Sequence, residues 1–265
     1  MGDPGVYLYA AARDLRSADL DGLVGLREGA LRVVEHDGLS AVVSDVDLDE
    51  FGDEALRQNL EDLAWLEQVA RRHDDVVQAV GARRAVAPLR LATICLDDAS
   101  VVARLQEWGA ALHRALDRVD GRREWSVKIY VSLDEAEAES GSAGSASSAA
   151  TGPATGSGAG AAYLKRRRNQ ITQHEDALEA ATELGDTVHT RLAQNVVASR
   201  RLPPQDRKLT GHEGTMVLNG AYLVDQSAAE QWRSTVETID RENPRARVEL
   251  QGPWPPYSFA TLEEA

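Results

Sequence analysis

Apolar and polar residues recur along this chain with two different periods, and the switches between them mark its elements. Residues 6–11 (VYLYAA) form a short aromatic and aliphatic run that predicts a strand. Two β-branched runs, 31–36 (LRVVEH) and 39–44 (LSAVVS), flank Asp37-Gly38, a dipeptide suited to the positive φ angles of a two-residue hairpin. From 54 to 80 the period lengthens. Leu56, Leu60, Leu63, Val69, Val76, Val77 and Val80 fall at helical spacing among charged residues, which predicts one long amphipathic helix. The apolar run 85–96 (AVAPLRLATICL) predicts another strand. Asp97 or Asp98 then stands where it would cap a helix whose apolar stripe is Val101, Leu105, Leu112, Leu116 and Val119.

The second half opens on a clean alternation at 125–131 (WSVKIYV). Residues 140–162 follow, a Ser/Gly/Ala stretch with no charge and no large apolar side chain, expected to be a flexible insert. Its spaced glycines lack a leading strand and a following Gly-Lys-Ser/Thr, so they do not read as a phosphate loop. A helix is expected over 163–200, then strand material at 208–209 and 215–225, with Asn219-Gly220 as a turn or bulge. Ser227 and Glu230 form a capping-box pair ahead of a helix ending at Asn243-Pro244, and 247–250 (RVEL) closes as a last strand. The order from 125 onward is β-α-β-β-α-β, that of a ferredoxin-like split βαβ unit. The fold class expected is therefore α+β in two lobes: an acidic N-terminal domain over 1–120 and a ferredoxin-like domain over 121–265.

Charge supports two lobes and narrows the partners. The 265 residues carry a formal charge of -14, which disfavours nonspecific binding to nucleic acid or to anionic membranes. Residues 1–139 hold 16 Lys and Arg against 28 Asp and Glu, whereas the remainder holds 13 against 15. No apolar run approaches the ~20 residues of a membrane span, and the start lacks a signal-peptide pattern, so a soluble, cytoplasmic protein is expected. The single cysteine, Cys95, excludes an internal disulfide and reads as a buried strand thiol.

Catalytic and metal-binding patterns are weak. His36, His73, His113, His174, His189 and His212 show no zinc-type spacing and read as solvated or locally bonded; no nucleophile elbow is present. The adjacent carboxylates Asp74-Asp75 and Asp97-Asp98 diverge by about 100° on a helix. We therefore expect no catalytic residue, cofactor or metal. The one strong basic cluster, Lys165, Arg166, Arg167 and Arg168, lies at the start of a predicted helix, where it opposes the dipole and answers either internal carboxylates or an acidic partner.

Residues 252–259 (GPWPPYSF) place three prolines and three aromatics in eight positions. Proline fixes φ near -65° and pushes the preceding residue toward extended geometry, so these rings are displayed on a stiff backbone. They either close the adjacent core, the reading favoured for Trp254, or contact a partner or the other lobe, for which Tyr257 and Phe259 are the better candidates.

The ordered set of motifs resembles the gas vesicle GvpL/GvpF proteins almost end to end. It comprises Val6-Tyr7-Leu8-Tyr9; Glu61-x-x-x-Trp65-Leu66 with His73; 87–93 (APLRLAT); 125–130 (WSVKIY); 216–224 (MVLNGAYLV); and 252–259. The resemblance implies a two-domain α+β accessory protein, not an enzyme, that acts in gas vesicle formation in the cytoplasm or at the vesicle. Its implied partners are the small apolar shell subunit, other accessory proteins, or both; the residues' own chemistry makes Trp254, Tyr257, Phe259, Arg166, Arg167 and Arg168 the candidates for contact. Two alternatives stand beside this: a minor structural component of the vesicle wall, and a ferredoxin-like ligand-binding or catalytic domain using Arg90, Lys128 or Asn219.

Overall fold

The computed structural model describes residues 3–132, 158–205, 212 and 214–260. Its elements run β1 (Pro4–Arg13), β2 (Leu31–His36), β3 (Leu39–Asp47), α1 (Leu48–Phe51), α2 (Asp53–Asn59), α3 (Leu63–Gly81), β4 (Val86–Cys95) and α4 (Asp98–Val119) in the first part. Then come β5 (Arg122–Val131), α5 (Gly158–Ala193), β6 (Ala198–Arg201), β7 (Thr215–Asp225), α6 (Ala229–Glu242) and β8 (Ala246–Trp254). Backbone proximity divides the chain into two compact units. The first comprises Met1–Trp125, Leu223–Gln226 and Gly252–Ala265; the second comprises Ser126–Tyr222 and Ser227–Gln251. The proline-aromatic segment thus rejoins the first unit, although its position in sequence assigns it to the lobe over 121–265.

The first unit is built on an antiparallel sheet of order β2-β3-β1-β4. Asp37 (φ 48°) and Gly38 (φ 75°) form the expected hairpin turn between β2 and β3. Pairing of β1 with both neighbours shifts between Leu8 and Ala10. This bulge changes the phase of alternation, so Tyr7 and Tyr9 share one core cluster with Ala10 and Ala12 rather than with Ala11. Residues 6–12 of β1 are all buried, which requires cover on both faces. α3 contributes Val69, Val76, Val77 and Val80 to the cluster, and α4 packs across all four strands.

The helix expected over 54–80 is instead two helices, α2 and α3, with the short α1 ahead of them. Gly52 adopts an extended conformation between α1 and α2, and the extended Asp62 caps α3 by accepting from the N–H groups of Ala64 (2.9 Å) and Trp65 (3.3 Å). At α4, Asp97 is the cap: its carboxylate accepts from Ser100 N–H at 2.7 Å and Oγ at 2.6 Å. Those bonds hold its carboxyl below the usual range.

The second sheet has order β6-β7-β5-β8, the strand order of a ferredoxin-like βαββαβ unit. The first sheet has the corresponding order, with short 3₁₀ turns in place of its first helix. Tyr222 on β7 touches both helices of the second unit: its hydroxyl lies 2.9 Å from His189 Nδ1 on α5, and its ring packs 5.3 Å from Trp232 on α6. Both helices therefore lie on one face of the sheet. Their close approach is direct, since Trp232 Nε1 donates to the Leu192 carbonyl at 3.2 Å.

Three expectations in this half are corrected. α5 begins at Gly158, inside the stretch expected as an insert, because alanine-rich sequence propagates a helix. It ends at Ala193 rather than Arg200, and 198–201 form β6, an edge strand held by backbone bonds such as Leu202 N–H to the Asn219 carbonyl (2.7 Å). Ser227 falls in a 3₁₀ turn, and α6 starts at Ala229 with Ala228 as an N-cap lacking a side-chain bond, so the capping box does not form. Residues 208–209 lie outside the described residues. β7 runs unbroken through Asn219-Gly220.

Candidate functional site

The site of greatest interest is the proline-aromatic segment, which lies wholly in the first unit once past Gln251. Gly252 has φ +126°, and a Cβ there would stand 2.9 Å from the Glu124 carbonyl and 3.1 Å from the Trp125 ring. Only glycine allows this approach. The Gly252-Pro253 peptide is cis. Pro255 and Pro256 are buried, and their carbonyls accept from Tyr257 N–H (2.8 Å), Phe259 N–H (3.1 Å) and Ala260 N–H (2.9 Å), winding a tight turn.

Side chains then lock the turn. Ser258 donates to the carboxylate of Glu124 through both its N–H (2.8 Å) and its Oγ (2.6 Å). Tyr257 Oη donates to Asp74 Oδ1 on α3 at 3.1 Å. Burial pushes the Tyr257 hydroxyl well above its ordinary pKa, and the neighbouring Asp74 carboxylate adds to the shift. Next to it, Arg123 Nη2 donates to the Gly81 carbonyl at 2.7 Å, placing a cation on the C-terminal end of α3. Desolvation lowers the Arg123 pKa.

The three aromatics divide differently from the expectation, which favoured Trp254 as the ring that closes the core. Phe259 is 4% exposed and seats in the fold with Ala260, whereas Trp254 and Tyr257 are 38% and 37% exposed. Of the basic cluster, Arg167 and Arg168 are exposed on α5, and the side chain of Arg166 lies outside the described residues. Because α5 starts at Gly158, these charges sit beyond its first two turns, where the helix dipole opposes them little.

The residues weighed for a ligand site are engaged structurally. Asn219 Nδ2 donates to the Pro203 carbonyl at 2.8 Å, and Lys128 Nζ to Gln205 Oε1 at 2.9 Å. Arg90 is exposed on β4 in the first unit. Among the described residues, no cluster of His, Cys, Asp or Glu is arranged to hold a metal ion, and no helix is long and apolar enough to cross a membrane. Cys95 is buried, and burial raises its thiol pKa.

Of the two readings open for the histidines, His73 takes the bonded one. It is buried inside the first unit, with Nδ1 3.0 Å from Tyr7 Oη and its ring stacked 5.7 Å from that of Tyr9. Tyr7 Oη also accepts from Ala92 N–H (3.0 Å), while Tyr9 Oη bonds Ser44 Oγ (2.8 Å) and accepts from Leu26 N–H (2.7 Å). Desolvation depresses the His73 pKa to about 4, so the imidazole is neutral at pH 7. This network fixes the loop and strand that cross it.

Residues 5–261 match the family described as "Gas vesicle synthesis protein GvpL/GvpF". The chain belongs to that family. It is 38% identical over 259 residues to gas vesicle protein L of Streptomyces sp. (strain CB03234), covering 97% of this chain and 93% of the relative. Gas vesicle protein F of the same strain is 25% identical over 255 residues, covering 96% and 98%. Crystal structures of GvpF proteins carry the same fold: that from Anabaena sp. PCC7120 superimposes with TM-score 0.71 at 20% identity, covering 98% of both chains. The Microcystis aeruginosa GvpF gives 0.65 at 19%, covering 97% of this chain and 99% of that one. Family membership gives this GvpL/GvpF protein a role in gas vesicle formation.

Proposed function

We propose that this GvpL/GvpF protein acts in the cytoplasm, or at the growing vesicle, as an assembly factor that binds the small apolar shell subunit or other gas vesicle proteins. A wall subunit with a water-repelling face needs cover before it is incorporated. The observation that carries the reading is the rigid, part-exposed pair Trp254 and Tyr257, whose backbone is held by the bonds from Ser258 to Glu124. Aromatics presented with little conformational freedom lose little entropy on docking. Trp254 also ends β8, an outer strand of its sheet and so a candidate for edge pairing. Phe259 supports this surface from within.

Co-expression of the shell subunit with wild-type protein or with a Trp254→Ala/Tyr257→Ala variant tests the proposal. The variant should keep less shell subunit in solution while its circular dichroism stays that of a folded protein. Equal solubilisation by the folded variant would refute aromatic docking. Arg166, Arg167 and Arg168 are proposed to assist by attracting an acidic partner; replacing 165–168 by alanine should weaken binding at low salt, and an unchanged salt profile would remove them from the surface.

A further inference from the structure

In the second unit, α5 runs for 36 residues and α6 for 14, lengths of about 54 and 21 Å at 1.5 Å per residue. α6 stops at Glu242, where the Asn243 amide donates to the Ile239 carbonyl at 2.7 Å and Pro244 cannot continue the helix. Beside that end opens a groove of about 630 Å³. One wall is the α5 stripe Ala177, Ala180, Ala181 and Leu184; Pro244 and Ala246 face it. The volume lies within the roughly 300–1,000 Å³ of sites that seat a compact apolar group, here a few large side chains.

The lip of the groove is acidic along α5, while Glu242 and Arg245 stand on the facing side. Residues 173–186 contain Glu175, Asp176, Glu179, Glu183 and Asp186 and no Lys or Arg. Asp176, Glu179 and Glu183 recur at i, i+3 and i+7 and so form a ridge next to the Ala177–Ala180–Leu184 stripe. Asp186 is paired with Arg201. Among the described residues, no ion pair engages Asp176, Glu179 or Glu183.

We infer that this groove docks an amphipathic helix from a partner protein, one with a bulky aliphatic or aromatic stripe flanked by Lys or Arg. Small side chains on the wall leave space that a large apolar side chain fills, and the acidic ridge complements a basic flank. The occupant is a helix rather than a strand, because the α5 wall has its backbone groups satisfied internally and engages through side chains alone. A second copy of this chain is disfavoured by its own acidic ridge and formal charge of -14. The inference uses residues of the second unit only and stands or falls apart from the role of Trp254 and Tyr257.

The test uses a fluorescent peptide of leucine and lysine, with leucine at i, i+3, i+4 and i+7, and a control in which those leucines are alanine. Fluorescence anisotropy should give tighter binding of the leucine peptide by about tenfold or more. Hydrogen exchange should show new protection at 173–184 and 242–246. Ala180→Trp, at an exposed position, should fill the groove and weaken binding by about tenfold with an unchanged thermal melt. Asp176→Lys/Glu183→Lys should weaken it in a salt-dependent way. Equal binding of both peptides, protection confined to other regions, or undiminished binding by Ala180→Trp would overturn the inference. So would a dimer that dissociates on Ala180→Trp, which would make the groove an interface between copies, or peptide binding that appears only after deletion of 133–157, which would mean that the chain fills its own groove.

Discussion

Glu124 accepts two hydrogen bonds from Ser258, one from the backbone N–H and one from the hydroxyl, at 2.8 and 2.6 Å. Glu124 is 7% exposed, so these bonds are made largely away from water. They tie the start of β5 to the turn at 255–260, which follows Trp254 and contains Tyr257.

Removing the acceptor should therefore loosen the segment before it harms the rest. Glu124→Ala is expected to cost about 2–3 kcal/mol, since bonds to a charged group are stronger than neutral ones and two donors lose their partner. Thermal unfolding should show the loss, with hydrogen exchange rising first over 252–260. Unchanged exchange there would mean that the turn holds itself.

Acid should destabilise the first unit through His73. Its folded pKa, about 4, lies below the ordinary value of 6.5 because burial disfavours the charged ring. The unfolded state thus binds more protons between those values, so stability is complete above pH 6.5 and is lost as pH falls toward 4. The full effect is on the order of 3 kcal/mol. Urea unfolding across that interval should show the slope, and His73→Gln should flatten it. The depressed carboxyls of Asp97 and Glu50 lose their stabilisation as pH falls below their ordinary values of 3.8 and 4.5, at the acid end of that interval and beyond it.

Much of the scaffold was legible because it is local. The Asp37-Gly38 hairpin, β4 and the Asp97-capped α4 each follow from adjacent residues and one period. The ferredoxin-like class of the second sheet was legible in a β-α-β-β-α-β succession, although that succession took 208–209 as its second strand where the sheet uses β6. β6 escaped detection because Ala198-Ser199-Arg200-Arg201 has no apolar alternation; as an edge strand it depends on the β7 backbone rather than on its own side chains. The α2–α3 break had a readable signal in Asp62, two and three residues ahead of the N–H groups it caps, but the surrounding helical period masked it. At the candidate site, the rigidity of 252–259 was readable from its prolines. Its partners Glu124 and Asp74 were not, since they lie 134 and 183 positions away and nothing in a single sequence couples them. Burial of His73 likewise depends on the Tyr9 bulge, a feature of pairing and not of composition.

Tyr257→Phe separates the fixing of this ring from its display. Loss of the 3.1 Å bond to Asp74 is expected to cost about 0.5–1.5 kcal/mol, lowering the melting temperature slightly while keeping the aromatic face. Shell-subunit solubilisation should survive in this variant and fall in Tyr257→Ala. Equal loss in both would tie the effect to the hydroxyl.

In the second unit a contact between α5 and β7 is sensitive to a single methyl group. A Cβ built on Gly185 would stand 2.4 Å from the Val217 carbonyl oxygen, a backbone atom that cannot swing aside as a flexible side chain would. Gly185 lies on the same buried stripe as Ala181, Val188 and Leu192, so helix and strand meet there backbone to backbone. Alanine is the better helix former by up to about 1 kcal/mol, and in an isolated helix Gly185→Ala would stabilise. Here the steric term should win, because overpacking of a tight contact typically costs about 1–3 kcal/mol. Net destabilisation in chemical denaturation is the expected result, accompanied by lost protection of the β7 amides. A variant more stable than wild type would mean that α5 moves off the sheet freely, and the close packing inferred between the two would be wrong.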